Sequence, residues 1–398
     1  RDWGSCLHRE TDVVKTGRVN AVSAQVLTKG QVAFGEDYTD SVANNAGRSV
    51  AGDVGGYRAD IDGLRAIAVL LVLLFHGGSS IFSSGFVGVD VFFVISGFLI
   101  TSIVLRDLAA NRFSFAQFYT RRAWRLQPAM IAVYVATFLI AALVYLPADF
   151  VEYLKSGKYA SMFLANQYFA RSTTAYAADD TSSLLLLHTW SLAIEWQWYV
   201  VLPVCLVALH RRVSAGALRV IVPVAALIAA GVALGLSAHH PDDNYYSFIS
   251  RIFELLIGAG VGVLGADRLK LGRGLASVLG VGALAVIPYC GTRNEILRGF
   301  PDYHAVLVSL ATALLLIKDV GQKGIHGLIT GSLLPRSLGK ISYSLYLWHW
   351  PVLAVTAYLG LTGATYSQTV YYIGSLVLAV VTYALVEKRF RRVKLRLL

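Results

Sequence analysis

Charge is what this chain is short of. Charged residues make up 15% of its 398 positions, against about 25% in an ordinary soluble protein. A water-facing surface cannot be covered with so few. Cysteine is scarce as well. Cys6, Cys205 and Cys290 are far apart and lack both the CxxC or Cys/His spacing of a metal site and the density of a disulfide scaffold. Cys205, set in an apolar run, is expected as a small core residue. No repeat of solenoid length occurs. What the chain has instead is 56% hydrophobic residues and a mean hydropathy of +0.58. Disordered, collagenous and soluble globular classes are excluded, leaving an all-α polytopic membrane protein.

Residues 1–57 stand apart as a polar stretch of mixed charge with no apolar run able to span a bilayer and no signal-peptide pattern. They read as a disordered cytoplasmic tail. From there on, apolar segments of near-membrane length follow one another, at 61–79, 86–105, 127–146, 186–208, 217–237, 246–265, 272–290, 304–318, 338–358 and 366–386. The expectation is a bundle of about ten transmembrane helices over 58–392, with a basic tail at 393–398. The net charge of +11 fits topology better than nucleic acid, because Lys and Arg fall in alternate short loops. Arg106, Arg112, Arg121, Arg122 and Arg125 follow the second segment, Lys318, Lys323, Arg336 and Lys340 the eighth, and EKRFRRVKLR the last. Loops such as GGSSIFSSG and GLTGATYSQ carry none. Both termini are therefore expected in the cytoplasm, and 147–185 is the longest outer loop.

Ionisable residues inside such segments are expensive in lipid and call for a reason. Arg65 and His76 are eleven positions apart in DGLRAIAVLLVLLFH. That spacing puts them within about 20° of one helix face and roughly 16 Å apart along the axis. In HTWSLAIEWQWYVVLP, His188 and Glu195 share a face, with Glu195 at a depth comparable to His76. A carboxylate beside an imidazole orients the ring and stabilises its charged form. The neighbouring Trp190, Trp196, Trp198 and Tyr199 read as an aromatic belt. Arg251 and Glu254, three apart, are able to pair. Tyr343, Tyr346 and His349 make a polar stripe in SYSLYLWHWP. In RRAWRLQP, Arg121, Arg122 and Arg125 lie within two turns, a spacing suited to gripping phosphates. His239, His240, Asp242 and Asp243 sit in a short turn, and no metal site is expected there.

Seven of these pieces, in order, resemble the acyltransferase 3 family of integral-membrane O-acyltransferases. They are Arg65-x10-His76, GFVGVDVFFVISGFLIT (85–101), FYTRRAWRLQPA (118–129), HTWSLAIEWQWYVVLP (188–203), SRIFELLIGA (250–259), SYSLYLWHWP (342–351) and VEKRFRR. The resemblance implies a ten-helix bundle in the bacterial cytoplasmic membrane. It would transfer an acyl group, commonly acetyl, from cytoplasmic acyl-CoA to a hydroxyl of an extracytoplasmic glycan or lipid-linked glycan. It implies catalytic roles for Arg65, His76 and Glu195, and acyl-CoA binding by Arg121, Arg122 and Arg125. Asp90, His188, Arg251, Glu254, Tyr346 and His349 become candidate cavity-lining residues. No bound cofactor is expected, acyl-CoA being a co-substrate. Members with the HTWSL-type motif often carry a C-terminal SGNH hydrolase-like domain, and no Gly-Asp-Ser block occurs in this sequence. A stand-alone membrane enzyme, a separate SGNH-type or periplasmic partner, and a truncated chain are the three expectations that follow.

His76, titrating near neutral pH, is the candidate base. The competing class is a transporter of a proton-coupled solute or lipid-linked sugar, which would account for the intramembrane charges but not for the ordered motifs.

Overall fold

The computed structural model describes residues 57–173, 181–240, 244–265, 269–294, 299–361 and 366–391. Of the expected polar tail, only Tyr57 falls among them. The basic tail 393–398, Asp242 and Asp243 lie outside the described residues. Every regular element among the described residues is helical. In chain order these are α1 (Ala59–His76), α2 (Gly88–Ala109), α3 (Phe115–Val144), α4 (Pro147–Ser161) and α5 (Ala165–Ser172). Next come α6 (Thr189–His210), α7 (Ala215–His239), α8 (Phe248–Leu264), α9 (Arg273–Gly291) and α10 (Tyr303–Leu316). The chain closes with α11 (Lys318–Gln322), α12 (Ile325–Thr330), α13 (Leu333–Tyr358), α14 (Ser367–Thr382) and α15 (Lys388–Arg391). A 3-10 turn at Gly85–Val87 leads into α2, and a π-helical turn at Tyr383–Glu387 joins α14 to α15.

Local chemistry sets several of these boundaries. Ser114, Ser214 and Ser247 cap α3, α7 and α8 by accepting the amide N–H three residues on. Asp302 does the same for α10 through the His304 amide, at 2.9 Å. Gly265 takes the left-handed conformation that ends α8. Pro128, Pro203, Pro223, Pro288 and Pro351 lie inside helices, as membrane helices tolerate.

All ten expected segments contain a helix, but among the described residues six helices are long and apolar enough to cross a membrane. These are α2 with the turn before it, α3, α6, α7, α9, and α14 with its continuation to Arg391. The other four fall short for a physical reason. α10 has 14 residues and α8 has 17, α1 carries Asp60, Asp62 and Arg65, and α13 is lowered in hydropathy by the SYSLYLWHW run. Three of the four are interior. Ten of the 18 residues of α1, ten of the 17 of α8 and nine of the 14 of α10 are buried, against seven of 30 in α3 and five of 25 in α7. A helix that meets protein on most sides need not be apolar all round.

The inner helices pack α1 on α13 and α2, and α2 on α8. The last contact is backbone to backbone. A Cβ on Gly97 would lie 2.0 Å from the Leu255 carbonyl oxygen, and one on Gly258 would lie 2.0 Å from that of Val94. Small residues permit this approach between helices in lipid. The expected outer loop 147–185 holds α4 and α5, and Thr181–Leu187 then runs as turns into α6. Cys205 is exposed on α6 rather than in the core. Trp190 and Trp198 are buried, so they do not belong to a lipid-facing belt.

At one end of the bundle, Arg58 pairs with Asp60 at 2.6 Å and donates to the Leu316 carbonyl at 3.1 Å. Gln322 also donates to Asp60, and Arg336 to Tyr57. These bonds gather the end of α10, α11 and the starts of α1 and α13. His76, the α6 start and the end of α3 lie toward the other end.

Candidate active site

A cavity of ≈ 290 Å³ runs between α1, α2, α3, α6 and α13. Four guanidinium groups line it: Arg65 from α1 and Arg121, Arg122 and Arg125 from one turn and a half of α3. Arg122 is buried in the wall, its guanidinium 3.9 Å from the Phe118 ring centroid, with Nε lacking a hydrogen-bond partner among the described residues. Arg121 and Arg125 are exposed at the mouth. Arg65 lies 3.8 Å from Asp62, one turn back. Glu195, half-buried, faces the same space, where Ser96 and Tyr199 both donate to its Oε1. Apolar residues of α2 such as Phe92, Leu99 and Ile103 make up most of the opposite wall.

The cavity reaches Ser191 and Tyr346, whose hydroxyl oxygens are 2.6 Å apart. Behind this pair three histidines converge from three elements. Tyr346 Oη donates to the His188 carbonyl at 3.2 Å, and the Tyr346 ring lies 5.0 Å from that of His349. The His349 ring is 5.2 Å from that of His76 and 5.9 Å from that of His188, centroid to centroid. His188 and His349 are buried. Trp350 lies edge-on to His76 at 4.9 Å and donates from Nε1 to the Leu184 carbonyl. Leu185, Leu186 and Leu187 are buried beside it and roof this end.

A second polar cluster joins α2 to α8. Arg251 donates to Asp90 and pairs with Glu254 at 3.1 Å, and all three side chains are wholly buried. Phe93, Trp190, Tyr245 and Phe300 surround the guanidinium. One cation between two carboxylates is held by charge and aromatic faces together.

The sequence-derived set is thus divided among three places. The arginines, Glu195 and Tyr346 line one cavity. His76, His188 and His349 form a cluster beyond it, and Asp90, Arg251 and Glu254 form the ionic cluster behind Phe93. Of the six residues expected to line a cavity, only Tyr346 lines this one. The structure does not bring Glu195 and His76 together either. Equal depth on two helices does not specify which way each helix faces, and Glu195 turns to Ser96 and Tyr199. Ser96 and Ser191 gave no signal of their own, because a lone serine in an apolar helix is common. The Asp90–Arg251 pair links positions 161 apart.

Comparison with known proteins follows this geometry. The family model for an acyltransferase domain, acyltransferase 3, matches residues 58–385. The chain is 32% identical to the "Putative membrane-bound transacylase" of Komagataeibacter xylinus, over 83% of this chain and 82% of that one. It is 30% identical to the "Putative peptidoglycan O-acetyltransferase" of Bacillus subtilis and 25% identical to the "O-acetyltransferase" of Staphylococcus aureus, over 84% of this chain in each case. It spans 55% and 57% of the lengths of these last two. No solved structure matches significantly. With more than three quarters of its length matched and six helices able to cross a membrane, the chain belongs to the acyltransferase 3 family, as a multi-pass membrane protein and an O-acetyltransferase-like enzyme.

Proposed function

We propose that the protein moves an acyl group, acetyl in the simplest case, from cytoplasmic acyl-CoA to a hydroxyl of an extracytoplasmic glycan or lipid-linked glycan. The observation that carries this reading is the polarity of the cavity, with four guanidiniums along it and a histidine cluster behind its Ser191–Tyr346 end. CoA is a polyanion at one end and a thioester at the other. Arg121, Arg122 and Arg125 would hold its phosphates by charge-assisted hydrogen bonds. Arg65 would stand where phosphate gives way to the pantetheine arm, and Glu195 beside the arm's path. The thioester would pass Tyr346 to reach His76.

There the acceptor hydroxyl gives its proton to His76 as its oxygen bonds to the acyl carbon. The carbon–sulfur bond breaks, and the CoA thiolate takes that proton as it leaves. Glycan enters from the opposite side. The protein would sit in a bacterial cytoplasmic membrane with both termini inside and all ten apolar helices in the bundle. A separate SGNH-type or periplasmic transferase would serve as receiver where the final acceptor lies out of reach. The transporter alternative is disfavoured by family membership.

Purified protein in detergent should release free CoA from acetyl-CoA when a soluble glycan acceptor is present. Replacing His76 by Ala should lower that rate about 10²–10⁴-fold, the usual worth of a positioned base, with membrane insertion unchanged. No acetyl-CoA consumption by the wild-type protein would contradict the reading.

A further inference from the structure

Six of the described residues that line the cavity carry hydroxyl groups, and five of these are committed within the protein. Ser96 and Tyr199 donate to Glu195. Ser191 and Tyr346 bond to one another, and Tyr346 also donates to the His188 carbonyl. Tyr343 donates to the Leu126 carbonyl at 3.0 Å. The sixth is Ser342, which is wholly buried and whose hydroxyl has no hydrogen-bond partner among the described residues. A hydroxyl within a helix commonly turns back to a carbonyl three or four residues before it, as Thr137 does to Val133 and Thr312 to Val308. Ser342 does not, and a buried hydroxyl without a partner is costly. Ser309 and Ser375 share that condition, but neither lines the cavity. A Cβ on Gly339 of α13 would meet the Asp62 carbonyl oxygen of α1, so the two backbones touch there. Farther on, the His76 and His349 rings are 5.2 Å apart, so the two helices run in the same direction. Arg65 and Ser342 each stand three residues, about 4.5 Å, beyond the backbone contact, and Tyr346 stands about 6 Å farther along α13. Ser342 is thus level with Arg65 and one turn short of Tyr346.

We propose that Ser342 hydrogen-bonds an amide of the pantetheine arm of acyl-CoA, as a binding residue that takes no part in proton transfer. The inference rests on the acyl-transfer reading and deepens it. Between phosphates held near Arg65 and a thioester that passes Tyr346, the arm is a chain of methylenes interrupted by two amides. Its methylenes suit the α2 wall, where Phe92, Leu99 and Ile103 face the cavity. An amide laid against that wall loses its water, which costs free energy unless another group replaces it. A hydroxyl can donate to the amide carbonyl or accept from the amide N–H, so Ser342 can serve either edge. The amides do not react, and the bond persists unchanged while the acyl group moves. It therefore contributes equally to the ground state and the transition state, and its loss shows in KM rather than in kcat.

The test uses the full-length protein with a soluble acceptor and acetyl-CoA, and with two acetyl-CoA analogues in which one or the other arm amide is replaced by a –CH₂–CH₂– unit. Ser342→Ala removes a single oxygen atom. It should raise the acetyl-CoA KM about three- to ten-fold, the worth of one neutral hydrogen bond, and leave kcat and the acceptor KM within about two-fold. With one of the two analogues the wild-type KM should already be raised, and Ser342→Ala should add nothing further to it. A purely structural role for the serine would raise the variant's KM by the same factor for all three donors, and that result would overturn the inference. So would a Ser342→Ala protein with the wild-type acetyl-CoA KM. Should Ser342→Ala fail to fold, Ser342→Cys goes through the same comparison and is read the same way, since its side chain is near serine's size and only a weak donor. A wild-type protein that leaves acetyl-CoA intact would overturn the acyl-transfer reading and this inference with it. Wild-type turnover with a Ser342 variant that does not distinguish the analogues would overturn this inference alone.

Discussion

Among single residues, the arginines of α3 separate two explanations that the sequence left side by side. Positive charge at a helix entrance is ordinary topology, yet Arg122 is buried in a cavity wall against Phe118, with Nε unpaired among the described residues. Topology gives no reason to bury a guanidinium. We expect Arg121→Ala with Arg122→Ala to raise the acyl-CoA KM at least ten-fold while changing the acceptor KM little, because the lost contacts are to phosphates. Steady-state kinetics in both substrates checks this, and equal change in both would reduce the pair to topological charge. The Arg65–His76 spacing could be read from one helix alone, because helical periodicity alone decides a shared face. The neighbours of Glu195 could not. Whether a carboxylate meets His76 or Ser96 depends on the rotation of α6 against α1 and α2, which only tertiary packing determines.

For whole elements, α2 and α8 are locked together beside the cavity. Their backbones touch at Gly97 and Gly258, and the Arg251 cluster bridges them one to two turns away. A methyl group at either glycine would meet a carbonyl oxygen that cannot swing aside as a side chain would. Gly97→Ala and Gly258→Ala should each destabilise the protein by about 1–3 kcal/mol, as overpacking usually does. Thermal unfolding in detergent would register this as a lower midpoint, and an unchanged midpoint would show that the helices can part without loss. Helix existence was legible throughout, since each apolar segment contains a helix. Which helices are interior was only partly so. The charges of α1 and the shortness of α8 and α10 weaken them as independent membrane spans, and these same features mark helices enclosed by others.

For the molecule as a whole, the architecture sets an arginine-lined cavity and a histidine cluster on successive levels of one bundle. That arrangement suits a reaction whose donor and acceptor arrive from opposite sides. Sidedness is the part of the account resting on loop charge, and it can be checked directly. A cysteine at Ser80, exposed after α1, should react with an impermeant thiol reagent in intact cells. One at Lys323, which pairs with Asp319 at 2.6 Å on the basic end, should react only after lysis. Labelling of Lys323→Cys in intact cells would reverse the orientation.

The central claim is that acyl groups enter through the arginine end and leave as esters beyond the histidines. It is tested most directly in sealed vesicles holding the protein in one orientation, with acetyl-labelled CoA on the arginine side only and a membrane-impermeant glycan on the other. We predict that ester label appears on the glycan while free CoA accumulates on the arginine side, in equal amounts. Label that reaches the glycan only when both substrates share one side would contradict the account.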